Sequence, residues 1–351
     1  MKSCILALFC CLLLGGCSQE RIVNRINIIQ SMGVDLEGDT YKISASFPNY
    51  IKATREQDVS PMTAESKVTY GIFTTLTSQS SQPIESGQMR TLVISEKFAR
   101  ETISELANII NRESIKSSNA HIVITRQKAS QIISETVKTP PFYLSELIDN
   151  NMYHGNIPVA NYHSFVNQYY GAGQDVYLPV INIDHGKLHM DGVAIYGGNE
   201  LKLWLTQQEG LYLKILRDKS LTGEYDFKTS SKDMYSFVIM HGNKKLSIAQ
   251  NGNTSISLEI YIALREIPER INIQNSQDLY ELKKLIGEKL SSEMKAMLIR
   301  LQKNKVDPVG FGEQYSWHHR NFNEKDFYER IYPHLNFEVQ TKIIILHSGV
   351  G

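Results

Sequence analysis

Among the side chains of this 351-residue sequence, Cys17 is the one whose type and spacing commit it to a specific reaction. It follows Leu14-Gly15-Gly16, a bulky aliphatic residue and two small ones. The glycines let the backbone enter a peptidase cleft while Leu14 fills an apolar pocket, and a thiol placed there can form a thioether to a diacylglyceryl group. The spacing predicts cleavage after Gly16 and lipid on Cys17, as at a bacterial lipoprotein processing site. The competing reading is an ordinary secretory signal with Cys17 a bystander, but no A-x-A-like site is present to support it.

Other candidates for chemistry carry less. There is no G-x-S-x-G, no H-E-x-x-H and no phosphate loop, and Gly310-Phe311-Gly312 lacks the third glycine and the preceding strand of a dinucleotide site. Trp317-His318-His319 could hold a metal, but adjacent histidines on a helix point about 100° apart and rarely share one ion. Trp317 is expected in a core. His154 and His163 flank a proline and could meet Asp149, and Asp184-His185 reads as a turn satisfying its own hydrogen bonds. No local signature selects a pair of glycosidase carboxylates. The sequence therefore predicts no catalytic residue, no metal ligand and no cofactor apart from the lipid on Cys17.

The elements around Cys17 fit that chemistry. Lys2 and the apolar run Ile5 to Leu14 make a signal-peptide core, shorter than the roughly 20 residues that span a bilayer. No other run approaches that length, so the body is expected to be soluble and anchored by lipid alone. Two acyl chains hold a protein stably where one is marginal, at about 0.8 kcal/mol per buried CH₂. Cys4, Cys10 and Cys11 lie in the signal, which leaves the mature body no thiol for a disulfide or a nucleophile. The 37 basic and 37 acidic residues balance, so nothing draws the chain to nucleic acid.

With residues 1–16 removed, the remaining length suits two domains. A polar spacer precedes a hairpin, Ile26 to Val34 and Tyr41 to Phe47, and a polar loop fills residues 48–66. Thr91 to Ile94 is a strand whose Ser95 can cap a helix. His121 to Ile124 is a second strand, and Thr125 can cap another helix; that order implies a parallel pair with a right-handed crossover. Short helices run from Phe142 to Tyr170, and a strand over Val176 to Ile183 closes a mixed α/β domain, residues 17–186. A carboxy-terminal α+β domain, residues 187–351, opens on a hairpin and a capping box, Thr206-Gln207-Gln208-Glu209. Strands at Tyr235 to His241, Leu246 to Gln250 and Ser255 to Glu266, with a turn at Gly242-Asn243, predict an antiparallel meander. Leu279, Leu282, Ile286, Leu290, Met294, Met297 and Leu301 trace one stripe of a helix from Gln277 to about Lys303 that should cover one sheet face. A last strand spans Phe337 to Leu346. The fold class expected is α+β, multidomain, with helices packed on one face of each sheet.

In order and spacing these segments resemble the Ger(x)C lipoproteins, the C subunits of spore nutrient-germinant receptors. The matching residues are Leu14-Gly15-Gly16-Cys17, Met32-Gly33-Val34-Asp35 with Gly38 and Tyr41, and Thr91 to Ala99. They continue with Met190 to Tyr196, Leu205, Glu209 and Gly210, then Asp307-Pro308-Val309-Gly310-Phe311-Gly312, Trp317, and Val339 to Gly349. One departure stands out: members often carry a histidine just before the Thr91 strand, where this chain has Gln88-Met89-Arg90.

The resemblance implies a non-enzymatic lipoprotein on the outer face of the spore inner membrane, beside integral-membrane A and B subunits that respond to small nutrients. It also implies three domains in line, so that the carboxy-terminal part would divide. A lipid-anchored solute-binding protein is the second reading. It calls for strand-helix repeats in both halves, where the second half of this chain is a meander. An exported hydrolase would need an activity lost on changing one of the histidines.

Overall fold

The computed structural model describes residues 26–48, 61–68, 71–101, 103–112, 119–229, 232–249, 252–319 and 321–348. Cys17 and the signal lie outside the described residues.

In chain order the strands are β1 (Asn27–Ile28), β2 (Ser31–Glu37), β3 (Thr40–Ser46), β4 (Met62–Ser66), β5 (Ile84–Glu85), β6 (Thr91–Ser95) and β7 (His121–Thr125). They continue with β8 (Tyr177–Asp184), β9 (Lys187–Gly197), β10 (Glu200–Leu205), β11 (Gly223–Lys228), β12 (Met234–Ile248), β13 (Asn253–Glu266) and β14 (Asn336–Ser348). The α-helices of six or more residues among the described residues are α1 (Ile72–Ser78), α2 (Glu96–Glu101), α3 (Ile103–Arg112), α4 (Ala129–Thr136), α5 (Tyr143–Tyr153), α6 (Tyr162–Tyr170), α7 (Gln207–Arg217), α8 (Ser276–Lys303) and α9 (Phe311–His318).

Among the described residues, eight strands form one mixed sheet in the order β10-β9-β8-β7-β6-β2-β3-β4, and four form a second, β11-β12-β13-β14. The predicted pair β6 and β7 is parallel, with β2 parallel to β6 on its far side. Helices cover both faces of this sheet, not one. The cause is the continuous apolar run in each central strand, which leaves no solvent face. Val93 and Val123 join the core built with α4 and α5, whereas Leu92, Ile94, Ile122 and Ile124 join a second core with Phe98, Ile103 and Phe165.

The motif Met32-Gly33-Val34-Asp35 explains how α4 sits on β2. A Cβ on Gly33 would lie 2.8 Å from Ile133 Cγ1 and 3.1 Å from the Ala129 backbone, so only glycine lets the helix approach this closely. Thr125 does not cap the helix, which begins later, after Lys128. The Asp35 carboxylate caps it from the neighbouring strand, accepting from Ala129 N at 2.7 Å and Ser130 N at 2.9 Å.

The expected domain boundary, between residues 186 and 187, falls in the turn between β8 and β9. Asp184 pairs with Lys187, and His185 and Gly186 take the positive φ angles, 47° and 74°, that a tight hairpin needs. The first sheet thus continues through β9 and β10.

The second sheet departs from the meander. Gly242-Asn243 is not a turn: β12 is one 15-residue strand that runs through it. Lys244 pairs with Leu258 and Leu246 with Ile256, after a register shift between Ile239 and His241. Gly242 serves the close approach instead, since a Cβ there would lie 2.7 Å from Glu259 O. Strand β14 adds parallel to β13, so the sheet is mixed. The long helix forms as expected: α8 buries Leu282, Ile286, Leu290, Met294, Met297 and Leu301 in the same core as Leu258, Ile260 and Ile262.

Candidate functional site

The Asp307-Pro308-Val309-Gly310-Phe311-Gly312 segment follows α8 and packs against the end of the first sheet. Asp307 is fully buried. Its carboxylate accepts from Gly310 N at 2.8 Å, Gly312 N at 2.9 Å and Tyr328 Oη at 3.2 Å. Its own N–H donates to Asp175 Oδ2 at 2.7 Å, and Asp175 N donates back to Asp307 O at 2.9 Å. Gly198 N reaches the other Asp175 oxygen at 3.3 Å.

Glycines close this joint. A Cβ on Gly173 would strike the backbone of Gly312 and Glu313, and Glu313 N donates to Gly173 O at 2.8 Å. Gly173 N in turn donates to Glu324 Oε1 at 2.6 Å.

Burial dominates the electrostatics here. It pushes the Asp307 carboxyl up to about 7, against the pull of the surrounding backbone N–H groups, and raises Asp175 as well. Tyr328 is raised by burial and then by the Asp307 charge. Because Asp307 is enclosed, it cannot touch a substrate; it holds a junction.

Beside the junction lies a crevice of about 500 Å³ between α6, the end of α7, β12 and α9. Arg217 fixes its wall, donating to Val309 O at 3.0 Å and Gln174 Oε1 at 2.8 Å, with Glu313 at 3.4 Å. Lys244 Nζ donates to the Ile215, Leu216 and Asp218 carbonyls at 3.0, 2.8 and 2.7 Å, satisfying the last turn of α7. Burial lowers Lys244 to about 8 and raises Asp218 to about 6. Trp317 stands at the rim, 71% exposed, which corrects the expectation of a core position. Its short helix puts Tyr315 and Phe311 inward instead.

The candidate residues from the sequence do not assemble elsewhere. Asp149 meets neither His154 nor His163; its partner is His121, at 3.1 Å. His163 packs edge-on against Tyr162, and His154 ends α5. His319 stacks on Tyr315 with ring centroids 3.7 Å apart. Asp184 and His185 lie 3.6 Å apart on an exposed turn. Among the described residues no group of acidic, histidine or cysteine side chains could hold a metal, and no helix is long and apolar enough to cross a membrane. Sequence reasoning missed Asp175 and treated Asp307 only as the end of a helix. An aspartate with glycines three and five residues later was the available signal, because an Asp side chain readily accepts from N–H groups just ahead of it.

Comparison with known proteins covers this architecture end to end. Residues 19–183 match the family described as "Spore germination protein N-terminal domain", and residues 191–349 the one described as "Spore germination B3/ GerAC like, C-terminal". "Spore germination protein GerQC" from Bacillus cereus is 25% identical, over 100% of this chain and 99% of its own length. "Putative spore germination protein YfkR" from Bacillus subtilis (strain 168) is 23% identical, over 99% and 96%. The crystal structure of the GerBC protein superposes with a TM-score of 0.60 at 17% identity, covering 90% of this chain and 96% of that one, and so shares the fold.

Proposed function

We propose a function from one premise: the chain belongs to the Ger(x)C family of spore germination proteins, which is not a known enzyme family. On that basis it acts as the lipid-anchored C subunit of a nutrient germinant receptor, a scaffold that couples integral-membrane A and B subunits during germination. Its place is the outer face of the spore inner membrane, held by acyl chains on Cys17.

The observation that carries this reading is a juxtaposition. The lipoprotein processing pattern ends at Cys17, and the matched amino-terminal segment begins at residue 19. An anchor there leaves only a short polar spacer before the folded body. Confinement to a thin layer raises the effective concentration of that body for membrane partners, which a non-catalytic subunit needs.

The test is fractionation of spores carrying wild-type protein or Cys17→Ala. Wild type should sediment with the inner membrane, carry a mass increment of acyl chains on Cys17, and copurify with polytopic subunits. Cys17→Ala should move to the soluble fraction and slow nutrient-triggered germination. An unmodified Cys17 thiol, or normal germination after deletion of the chain, would refute the assignment.

A further inference from the structure

Where β2, β6 and β7 begin, at the opposite end of these strands from Asp35, a cavity of about 680 Å³ is lined by Gln88, Arg90, Asn119, His121, Phe142 and Asp149. Its charged groups are held, not loose. The His121 side chain is 9% exposed; its Nε2 faces Asp149 Oδ1 at 3.1 Å and its Nδ1 faces Ala160 O at 3.5 Å. The ring therefore fixes one carboxylate oxygen of Asp149 and leaves Oδ2 without a protein partner among the described residues. Across the same cavity, the Arg90 guanidinium lies over the Phe142 ring, 4.3 Å from its centroid. Among the described residues it too has no acceptor.

Phe142 is itself unusual. Its φ of 70° is in the left-handed region that a bulky side chain rarely adopts, and the strained residue is the one beneath Arg90. The segment that departs from the family pattern, Gln88-Met89-Arg90, supplies two of the lining residues.

We propose that this cavity binds a small zwitterion of the free α-amino-acid class, Arg90 taking the carboxylate and Asp149 the ammonium. A guanidinium offers the paired N–H donors that a carboxylate accepts, and the unpaired oxygen of Asp149 accepts from an ammonium. A ligand with a single charge leaves one of the two groups unanswered. The volume falls within the roughly 300–1,000 Å³ of small-molecule sites, with Ile28, Pro48 and Tyr153 left to contact a side chain. The inference does not rest on the germination reading, because binding is measured on the purified chain.

The experiment titrates the detergent-solubilised full-length chain with each of the common L-amino acids, by thermal shift and then calorimetry. At least one should raise the melting temperature. For that amino acid, the decarboxylated amine and the deaminated acid should each bind at least about tenfold more weakly to the wild type. Arg90→Gln and Asp149→Asn should each weaken binding by a similar factor, with unliganded melting temperature and circular dichroism unchanged. The proposal is overturned if no amino acid stabilises the chain, if both variants keep wild-type affinity, or if the acid analogue binds as well as the amino acid, which would make this an anion site. Failure here leaves the anchoring test above unaffected.

Discussion

Asp175 and Asp307 are bonded to each other twice, backbone to backbone at 2.9 Å and backbone to carboxylate at 2.7 Å, across 132 residues of chain. One precedes β8 of the first sheet, and the other follows the long helix that covers the second. Two acids so close in a dry joint repel when both are charged, and burial has raised both.

That arrangement predicts a pH dependence. The Asp307 carboxyl is raised above its unfolded value, so the folded state holds a proton that the unfolded state has released. Stability from this group is full below about pH 4 and is lost as pH rises through about 7. The loss is on the order of 4 kcal/mol at most. Asp307→Asn should flatten the decline in melting temperature between pH 5 and pH 8, measured beside the wild type in one buffer series. An equal decline in the variant would place the titrating group elsewhere.

The seat of α4 on β2 can be broken in two independent ways. Asp35→Ala removes the acceptor for Ala129 N and Ser130 N and should cost about 2 kcal/mol. Gly33→Ala pushes a methyl into Ile133 and the Ala129 backbone and should cost about 1–3 kcal/mol. Urea denaturation of the two single variants and the double reads both; because the sites share one helix, the double should cost less than the sum.

Trp317 and Phe311 occupy the same short helix with opposite fates. Phe311→Ala should destabilise by about 3–5 kcal/mol, since the ring is buried against Tyr332 and Phe337. Trp317→Ala should change stability by less than about 0.5 kcal/mol. The sequence holds two tryptophans, and Trp204 is half-buried beneath Arg126. Acrylamide should therefore quench mainly Trp317 fluorescence, and Trp317→Phe should remove the accessible component. Quenching equal to that of a buried indole would contradict the exposed placement.

Gly242 is expected to resist substitution more than a hairpin-turn glycine would. Gly242→Ala places a methyl 2.7 Å from Glu259 O and 2.9 Å from Leu221 Cδ1. The cost should be about 1–3 kcal/mol, visible as a lower midpoint in chemical denaturation. A neutral result would favour a true turn at Gly242-Asn243 over a continuous β12.

The segments legible in the sequence were those whose signals are local. The apolar runs of β6 and β7 specified buried strands, and the Thr206 capping box formed as written: Glu209 N donates to Thr206 Oγ1 at 3.2 Å and Thr206 N to Glu209 Oε2 at 2.9 Å. The stripe on α8 gave both the helix and the face it covers. What escaped detection depended on distant partners. Gly242-Asn243 has the composition of a two-residue turn, and only the pairing of Lys244 and Leu246 with β13 carries the strand onward. Asp35 is followed by no helix of its own, so its role as a cap across strands has no periodic trace. Asp149 lay within the set of candidate residues, but its histidine was His121, at the start of a strand.

The turn at His185-Gly186 bears on how the molecule is assembled in time. As the polypeptide leaves the ribosome, β8 emerges with one edge unmet until β9 follows. The joint at Asp175 then waits for Asp307, more than a hundred residues later. A truncated product ending anywhere before that loop would leave Asp175 without its counterpart, so incomplete chains should be recognisable to quality-control proteases by exposed strand edges and loose glycine contacts.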